Sequence, residues 1–387
     1  MLIEIKGVQF VNKGAGLMLE AIQDRLASGL PGVEIALTPG PNAPFRSVAA
    51  AGAWQRLRMP GAPFDIDTWS YRVPRRLREL GHRYGVVTER DIDAVLDASG
   101  FAYGAAWGDA PLAATAREIE RLAGHDKPYV FLPQAFGPFP DTSAARAFGR
   151  ALHSAALICA REAESYAHVL EISGELAGRL AVFPDFTISL PGTPSAAARW
   201  GVDRSTALLI PNDHMRSERN PDPVWRAGYF GLLVTLARRL ADLGFKPRIL
   251  NHEGASDAAL CESLREATSS TEVVTESDPR ALKGIIGAAG VAVSSRYHGC
   301  VSALAQGVPC LGTSWSHKYA ALFAEFGAAE FLLVACDEAA ALGKLDQLVT
   351  GRDALSARLR AARPSLEAKV ASMWSRVFSI LGAVRSA

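Results

Sequence analysis

The sequence predicts an α/β protein of two domains, each a mostly parallel sheet with helices on both faces. Three observations predict it. Short apolar runs alternate with helical patterns along the chain, a Pro/Gly-rich stretch interrupts that alternation near the middle, and 387 residues suffice for two domains.

The opening run, residues 2–10, alternates charged and apolar side chains, which suits a first strand and not a secretory leader. A helical pattern follows at 16–26. Further strands are expected at 94–96, 129–132, 156–159 and 180–183, with helices such as 111–122 and 143–153 between them. Residues 191–205 carry two prolines and two glycines among small side chains, the composition of a linker. The first domain is therefore set at 1–190 and the second at 206–353. In the second, strands at 206–210, 246–251, 272–275, 291–294 and 309–312 alternate with helices at 223–243, 255–267, 279–288 and 298–306, and one from His317. Residues 354–387 form a long helical pattern, broken at Pro364, with the length to pack back on the first domain. Ligands in such sheets bind outside the carboxyl ends of the strands, so two halves of this kind place an active site in the cleft between them.

Composition narrows the functional classes. Hydrophobic residues make up 49% and charged residues 21%, enough apolar material for a sizeable core. Lys plus Arg is 41 against 40 for Asp plus Glu, a balance that excludes a large nucleic-acid footprint but not a local anion pocket. The five cysteines form no CxxC, so neither a zinc site nor a disulfide framework is indicated, and a reducing compartment is expected. No run approaches the ~18 uncharged apolar residues of a membrane helix. A cytoplasmic protein is expected, with the inner membrane face as a further place of contact.

The stretch from Val291 to Gly312 is the most informative. An apolar strand ends at Ser294-Ser295, Arg296 and His298 stand at the turn, Gly299 permits close backbone approach, and an alanine-rich helix begins at once. Free amides at a helix start, together with the helix dipole, favour negative charge. Arg296 can grip a carboxylate or phosphate through two parallel hydrogen bonds. His298 titrates near neutrality and can move a proton. A second strand ends at Thr313-Ser314-Trp315-Ser316-His317-Lys318, presenting Lys318 and Ser314 at the next helix start. Taken singly, each residue reads as a rim charge or a structural histidine. Arg296, His298 and Lys318 on successive strand–helix turns read as a site, whereas His317 leans to structure.

Arg296-Tyr297-His298-Gly299, then Gly307-Val308-Pro309 and His317-Lys318-Tyr319, resembles the closing signature of the polysaccharide pyruvyl transferases. Earlier pieces fit in order: Asn12-Lys13-Gly14-Ala15-Gly16, Asp97-Ala98-Ser99-Gly100, the segment ending in Gly137-Pro138, Arg161-Glu162 with Ser165, and Pro184-Asp185. Two departures stand out. Ala15 occupies a position that is commonly acidic in the family, and the glycines after Asp97 are spread to Gly100, Gly104 and Gly108. Both lie in the domain that, by the resemblance, holds the sugar acceptor.

The resemblance implies a GT-B-like pair of Rossmann-like domains and transfer of pyruvate from phosphoenolpyruvate, as a ketal, onto two hydroxyls of a saccharide. It implies that Arg296 holds the donor's carboxylate or phosphate, with Lys318 and backbone amides on the phosphate. His298 would be the acid toward the methylene carbon, or would neutralise the leaving phosphate. The scheme needs no metal or cofactor. The expected partners are phosphoenolpyruvate and a saccharide acceptor, lipid-linked or nucleotide-linked, and no nucleic acid.

Other constellations are less specific. Asn12 and Gly14 follow a strand and open a helix, so their amides could meet an anion or a hydroxyl; a tight turn is the alternative. The segment lacks both the G-x-G-x-x-G of a dinucleotide fold and the lysine of a P-loop. Asp185 reads as a sugar-binding or basic carboxylate, or as a cap. Glu162 and Ser165 read as helix caps. Asn212, His214 and Arg216 follow the second domain's first strand, and His252 and Glu253 follow its next strand. The first three could face the cleft, and the last two would lie near the donor in a GT-B enzyme. Arg75, Arg76, Arg78 and Arg83 form a basic helix, either a solvated face or a surface for an anionic acceptor or membrane. Trp54, Trp69 and Trp107 read as core, with sugar stacking as the alternative.

Two further readings compete with the ketal transferase. A GT-B glycosyltransferase would use Arg296 and Lys318 on a nucleotide-sugar diphosphate, with Glu253 or Glu325 near the ribose. A catalytically silent relative in a biosynthetic complex is the third.

Overall fold

A computed structural model describes residues 1–58, 65–218, 220–268, 272–314, 316 and 318–386. His317 lies outside the described residues. The chain divides into two compact units. The first comprises Met1–Phe10, Met18–Phe186 and Lys369–Ala387; the second comprises Val11–Leu17 and Thr187–Ala368.

The first unit is built on strands β1 (Leu2–Lys6), β2 (Glu34–Leu37), β3 (Trp54–Arg56), β4 (Val86–Val87), β5 (Ala94–Asp97), β6 (Tyr129–Gln134), β7 (Leu157–Ala160) and β8 (Leu180–Val182). They pair in parallel in the order β4-β3-β2-β1-β5-β6-β7-β8. The central strands β5, β6 and β7 are buried along their whole length, as a sheet covered on both faces requires. Toward the β3 edge this core is ionic. Arg56, buried, bonds Glu4 Oε2 at 3.1 Å, Asp67 Oδ1 at 2.8 Å and Glu89 Oε2 at 3.2 Å.

The second unit holds β9 (Thr206–Ile210), β10 (Lys246–Asn251), β11 (Glu272–Thr275), β12 (Val291–Ser294), β13 (Cys310–Thr313) and β14 (Leu332–Leu333). Their order is β11-β10-β9-β12-β13-β14, again all parallel. Sequence order therefore reverses between β9 and β12. A parallel sheet opens a crevice at the carboxyl ends of its strands at such a point.

The structure corrects several expectations. The first strand stops at Lys6, and β2, β3, β4 and β14 are additional. Residues 191–205 are folded into the second unit and include the helix Ser195–Arg199, with Ala196 and Ala197 buried in that unit's core. Pro364 does not break the last helix, which runs from Arg352 to Ser386 with the proline inside. Its residues through Ala368 belong to the second unit and those from Lys369 to the first. Trp69 and Trp107 are exposed, whereas Trp54 is half-buried with Nε1 donating to Glu34 Oε1 at 3.1 Å. Among the described residues, no helix is long and apolar enough to cross a membrane.

Candidate functional site

The second unit's crevice is built by the turns that follow β9 and β12, and both are held rigidly. Ser295 N donates to Ile210 O at 2.9 Å, which ties one turn to the other. Asn212, buried, donates from Nδ2 to Ser295 O at 3.1 Å and accepts from His214 N at 3.0 Å. Tyr319 OH also donates to Ser295 O, at 3.0 Å, and Tyr229 OH and Thr313 Oγ1 reach Ser295 Oγ at 2.5 and 2.8 Å. Gly299 is required in the first turn of the helix Tyr297–Ala305, because a Cβ there would lie 2.5 Å from Ser294 Oγ. A buried turn with this many satisfied polar groups holds its shape.

Arg296 is the N-cap residue of that helix and is 8% exposed. Its guanidinium is not an open fork. Nε donates to Asp257 Oδ2 at 2.9 Å, NH2 pairs with Asp257 Oδ1, and NH1 pairs with Glu253. Asp257, fully buried, also accepts from Asp213 N at 3.0 Å. Burial pushes the Asp257 carboxyl up to about 7, against the hydrogen bond it accepts from Asp213 N, and pushes the Arg296 guanidinium down to about 10. Arg296 is thus a fixed buried cation with one corner, NH1, on the less buried carboxylate of Glu253.

Residues 11–17 belong to this unit and close over the same place. Asn12 Oδ1 accepts from the amides of Gly14 at 2.9 Å and Ala15 at 3.3 Å, starting the helix Lys13–Gly29, while its Nδ2 donates to Glu253 Oε1 at 3.1 Å. Gly14 lies flat against the imidazole of His298: a Cβ on it would fall 2.2 Å from Nδ1. His298 itself is half-buried, with its ring edge-on to Tyr297 at 5.4 Å. His252, 1% exposed, follows β10, and neither of its ring nitrogens finds a hydrogen-bond partner among the described residues. Burial, reinforced by Arg296, His298 and Lys13, pushes its imidazole well below the ordinary value, so it is neutral at pH 7. Burial also lowers the Lys13 ammonium.

Lys318 opens the helix Lys318–Glu325 but is buried, its Nζ 5.3 Å from the Tyr297 ring centre and 5.9 Å from that of Tyr319. Those two rings make it a cation held against π-faces. Ser314 Oγ donates to Ser316 O at 2.9 Å, and Glu325 is half-buried at the far end of the Lys318 helix. His214 sits half-buried in a short 3-10 turn, and Arg216 is exposed beside Asp213 at 3.6 Å.

The remaining candidates belong to the first unit. Asp185 is buried with Arg161 NH2 at 3.7 Å, and that guanidinium also donates to Pro133 O at 3.1 Å. Glu162 occupies an N-cap position, yet its carboxylate pairs with the Ser165 hydroxyl instead of with helix amides. Ser165 Oγ in turn accepts from Phe136 N at 2.7 Å, so the pair braces the chain after β6.

The structure therefore brings together Asn12, Gly14, Asn212, His252, Glu253, Arg296, His298 and Gly299 in one unit. Asp257 and Tyr229 are additions that the sequence motifs did not contain. Asp257 carried a signal: on its helix it shares a stripe with buried Leu260, Cys261 and Leu264. A carboxylate in register with an apolar stripe needs a buried partner.

Two units, each a Rossmann-like parallel sheet, give the chain a GT-B-like fold. Solved structures agree in that fold. The UDP-GlcNAc 2-epimerase from Neisseria meningitidis, bound to UDP-GlcNAc, is 10% identical, with 98% of this chain and 99% of that one covered and a TM-score of 0.58. Anabaena HepE in complex with UDP is 11% identical over 99% of each chain, with a TM-score of 0.59. A putative UDP-N-acetylglucosamine 2-epimerase from Listeria monocytogenes is 12% identical over 99% of this chain and 96% of that one, with a TM-score of 0.61. No curated protein sequence matches the chain. The polysaccharide pyruvyl transferase family model matches residues 12–317, and the chain belongs to that family of transferases.

Proposed function

We propose that the chain transfers the pyruvyl group of phosphoenolpyruvate to two hydroxyls of a saccharide, forming a cyclic ketal and releasing phosphate. The observation that carries this reading is the coincidence of the family match over residues 12–317 with one cluster in the second unit that holds Arg296, His298 and the Asn12 loop in contact through Glu253 and Gly14.

The donor's negative charge needs fixed cations and aligned amides. Arg296 supplies a buried charge oriented by Asp257, and its NH1 corner becomes the donor's when the incoming carboxylate or phosphate replaces Glu253. The amides that open the helix Tyr297–Ala305 and the ammonium of Lys318 add to the same field. His298 delivers a proton to the donor's methylene carbon, turning CH2 into CH3 and leaving positive charge at C2. One saccharide hydroxyl oxygen bonds to C2, the C2–O bond to phosphate breaks, and the second hydroxyl oxygen bonds there. One hydroxyl proton returns to His298 and the other leaves on the phosphate. A positioned acid contributes roughly 10²–10⁴-fold to such a step. His252, buried and neutral at pH 7, adds no charge to that of Arg296 and His298 beside it.

The test uses phosphoenolpyruvate with labelled pyruvyl carbon and a panel of saccharides bearing vicinal or 1,3-related hydroxyls. Label appearing in an acid-labile saccharide product, with equimolar phosphate, supports the reading. Nucleoside diphosphate release from a nucleotide sugar, with no label transferred, would replace it by glycosyl transfer.

A further inference from the structure

The helix Arg75–Arg83 has no buried residue, although it lies within a folded unit. Its inner side is settled by polar contacts: Arg78 pairs with Asp91, His82 Nε2 lies 3.3 Å from Asp91 Oδ1, and Gly81 packs on the carbonyl of Val86. At 3.6 residues per turn, Leu77, Leu80 and Tyr84 fall together on the opposite side, with Arg76 and Arg83 along one flank. The three apolar side chains are 56%, 48% and 73% exposed, and Trp69 on the preceding short helix is 52% exposed. Residues 72–84 contain five arginines and one acid, Glu79, which is held by Arg75 at 2.7 Å. This is a local cationic excess in a chain whose overall charge is only +1.

A solvated face has no use for Leu77, Leu80 and Tyr84 side by side. Five arginines against one acid, itself held by Arg75, make the complementary occupant an anionic surface. Leucine with interfacial aromatics, flanked by arginines on one side of a helix, matches a surface that lies in the headgroup layer of an anionic bilayer. We infer that this helix docks the first unit reversibly onto anionic lipid, with Leu77, Leu80 and Tyr84 entering the interface and Arg76 and Arg83 meeting lipid phosphates. One short helix gives weak, salt-sensitive attachment and not anchorage. The inference is independent of the donor assigned above.

Co-sedimentation of the full chain with vesicles tests it, using phosphatidylcholine alone and phosphatidylcholine mixed with phosphatidylglycerol. The chain should partition onto the anionic vesicles, stay off the neutral ones, and be released by high salt. Each arginine near an anionic surface is worth about fivefold in partitioning, so Arg76→Glu with Arg83→Glu should lose at least about 25-fold. Leu77→Ser with Leu80→Ser removes the apolar contact and should also abolish sedimentation, while circular dichroism and melting stay unchanged because no buried side chain is altered. Absence of binding to anionic vesicles overturns the inference, as does binding that the arginine pair of substitutions leaves intact.

Discussion

Gly14→Ala tests the packing of the Asn12 loop on His298 and the proton-donor role proposed for it. The added Cβ would lie 2.2 Å from His298 Nδ1, 2.7 Å from Cγ and 3.0 Å from its Cβ, whereas ordinary contact begins near 3.4 Å. Ring or loop must therefore yield by roughly 1.2 Å. Gly14 lies in the first turn of the helix Lys13–Gly29, where alanine is a better helix former by roughly 0.5–1 kcal/mol, so the fold has little to lose. A displacement of about 1 Å at a reacting group costs on the order of 10²-fold in rate. The expected result is a variant that melts within a few degrees of the parent yet transfers pyruvate about a hundredfold more slowly. It should also show a displaced His298 signal by NMR. Full activity with an unmoved His298 resonance would refute the packing and, with it, the role given to the loop.

Two further outcomes follow from the same unit. Asp257→Ala leaves the buried Arg296 without its bidentate partner and should cost about 3–5 kcal/mol in urea unfolding, whereas Asp257→Asn, which keeps the acceptor for Asp213 N, should cost less. His252 has a folded-state pKa well below its unfolded value near 6.5, so its contribution to stability is intact above pH 6.5 and is lost as pH falls toward the folded value. The slope is about 1.4 kcal/mol per pH unit across that window. His252→Gln should therefore flatten the stability–pH curve between pH 7 and 5 relative to the parent, measured by urea midpoints at each pH.

What the sequence disclosed and what it hid divide along physical lines. The strands β9 and β12 are short, largely apolar runs between turn residues, and their burial follows from local pattern alone. Strands β2 and β3 escaped because they carry Glu34, Gln55 and Arg56, polar side chains that a pattern reading assigns to solvent. Arg56 is nevertheless core, neutralised by Glu4, Asp67 and Glu89 from distant parts of the chain. Pro364 looked like a break because its ring costs an interior helix about 3 kcal/mol. The helix survives because buried Leu355, Leu359 and Leu366 on one side, and Val370, Trp374, Val377 and Leu381 beyond, hold it at three- and four-residue spacings. At the site, the turn from Ser294 to Gly299 was legible because strand, cation, glycine and helix are contiguous. Its true environment was not. Asp257 lies 39 residues before Arg296, and the reason for glycine at position 14 is an imidazole nearly three hundred residues later. Contacts of that range are set by topology, which no local spacing encodes.

Phosphoenolpyruvate binding is proposed for the second unit. Titration calorimetry with phosphoenolpyruvate, beside UDP-sugars and inorganic phosphate, tests it most directly, with Lys318→Met as the comparison because it removes one donor-side cation. One phosphoenolpyruvate should bind per chain, tighter than phosphate alone and at least tenfold weaker in the variant, with no heat from UDP-sugars. Binding of a UDP-sugar with silence toward phosphoenolpyruvate would contradict it.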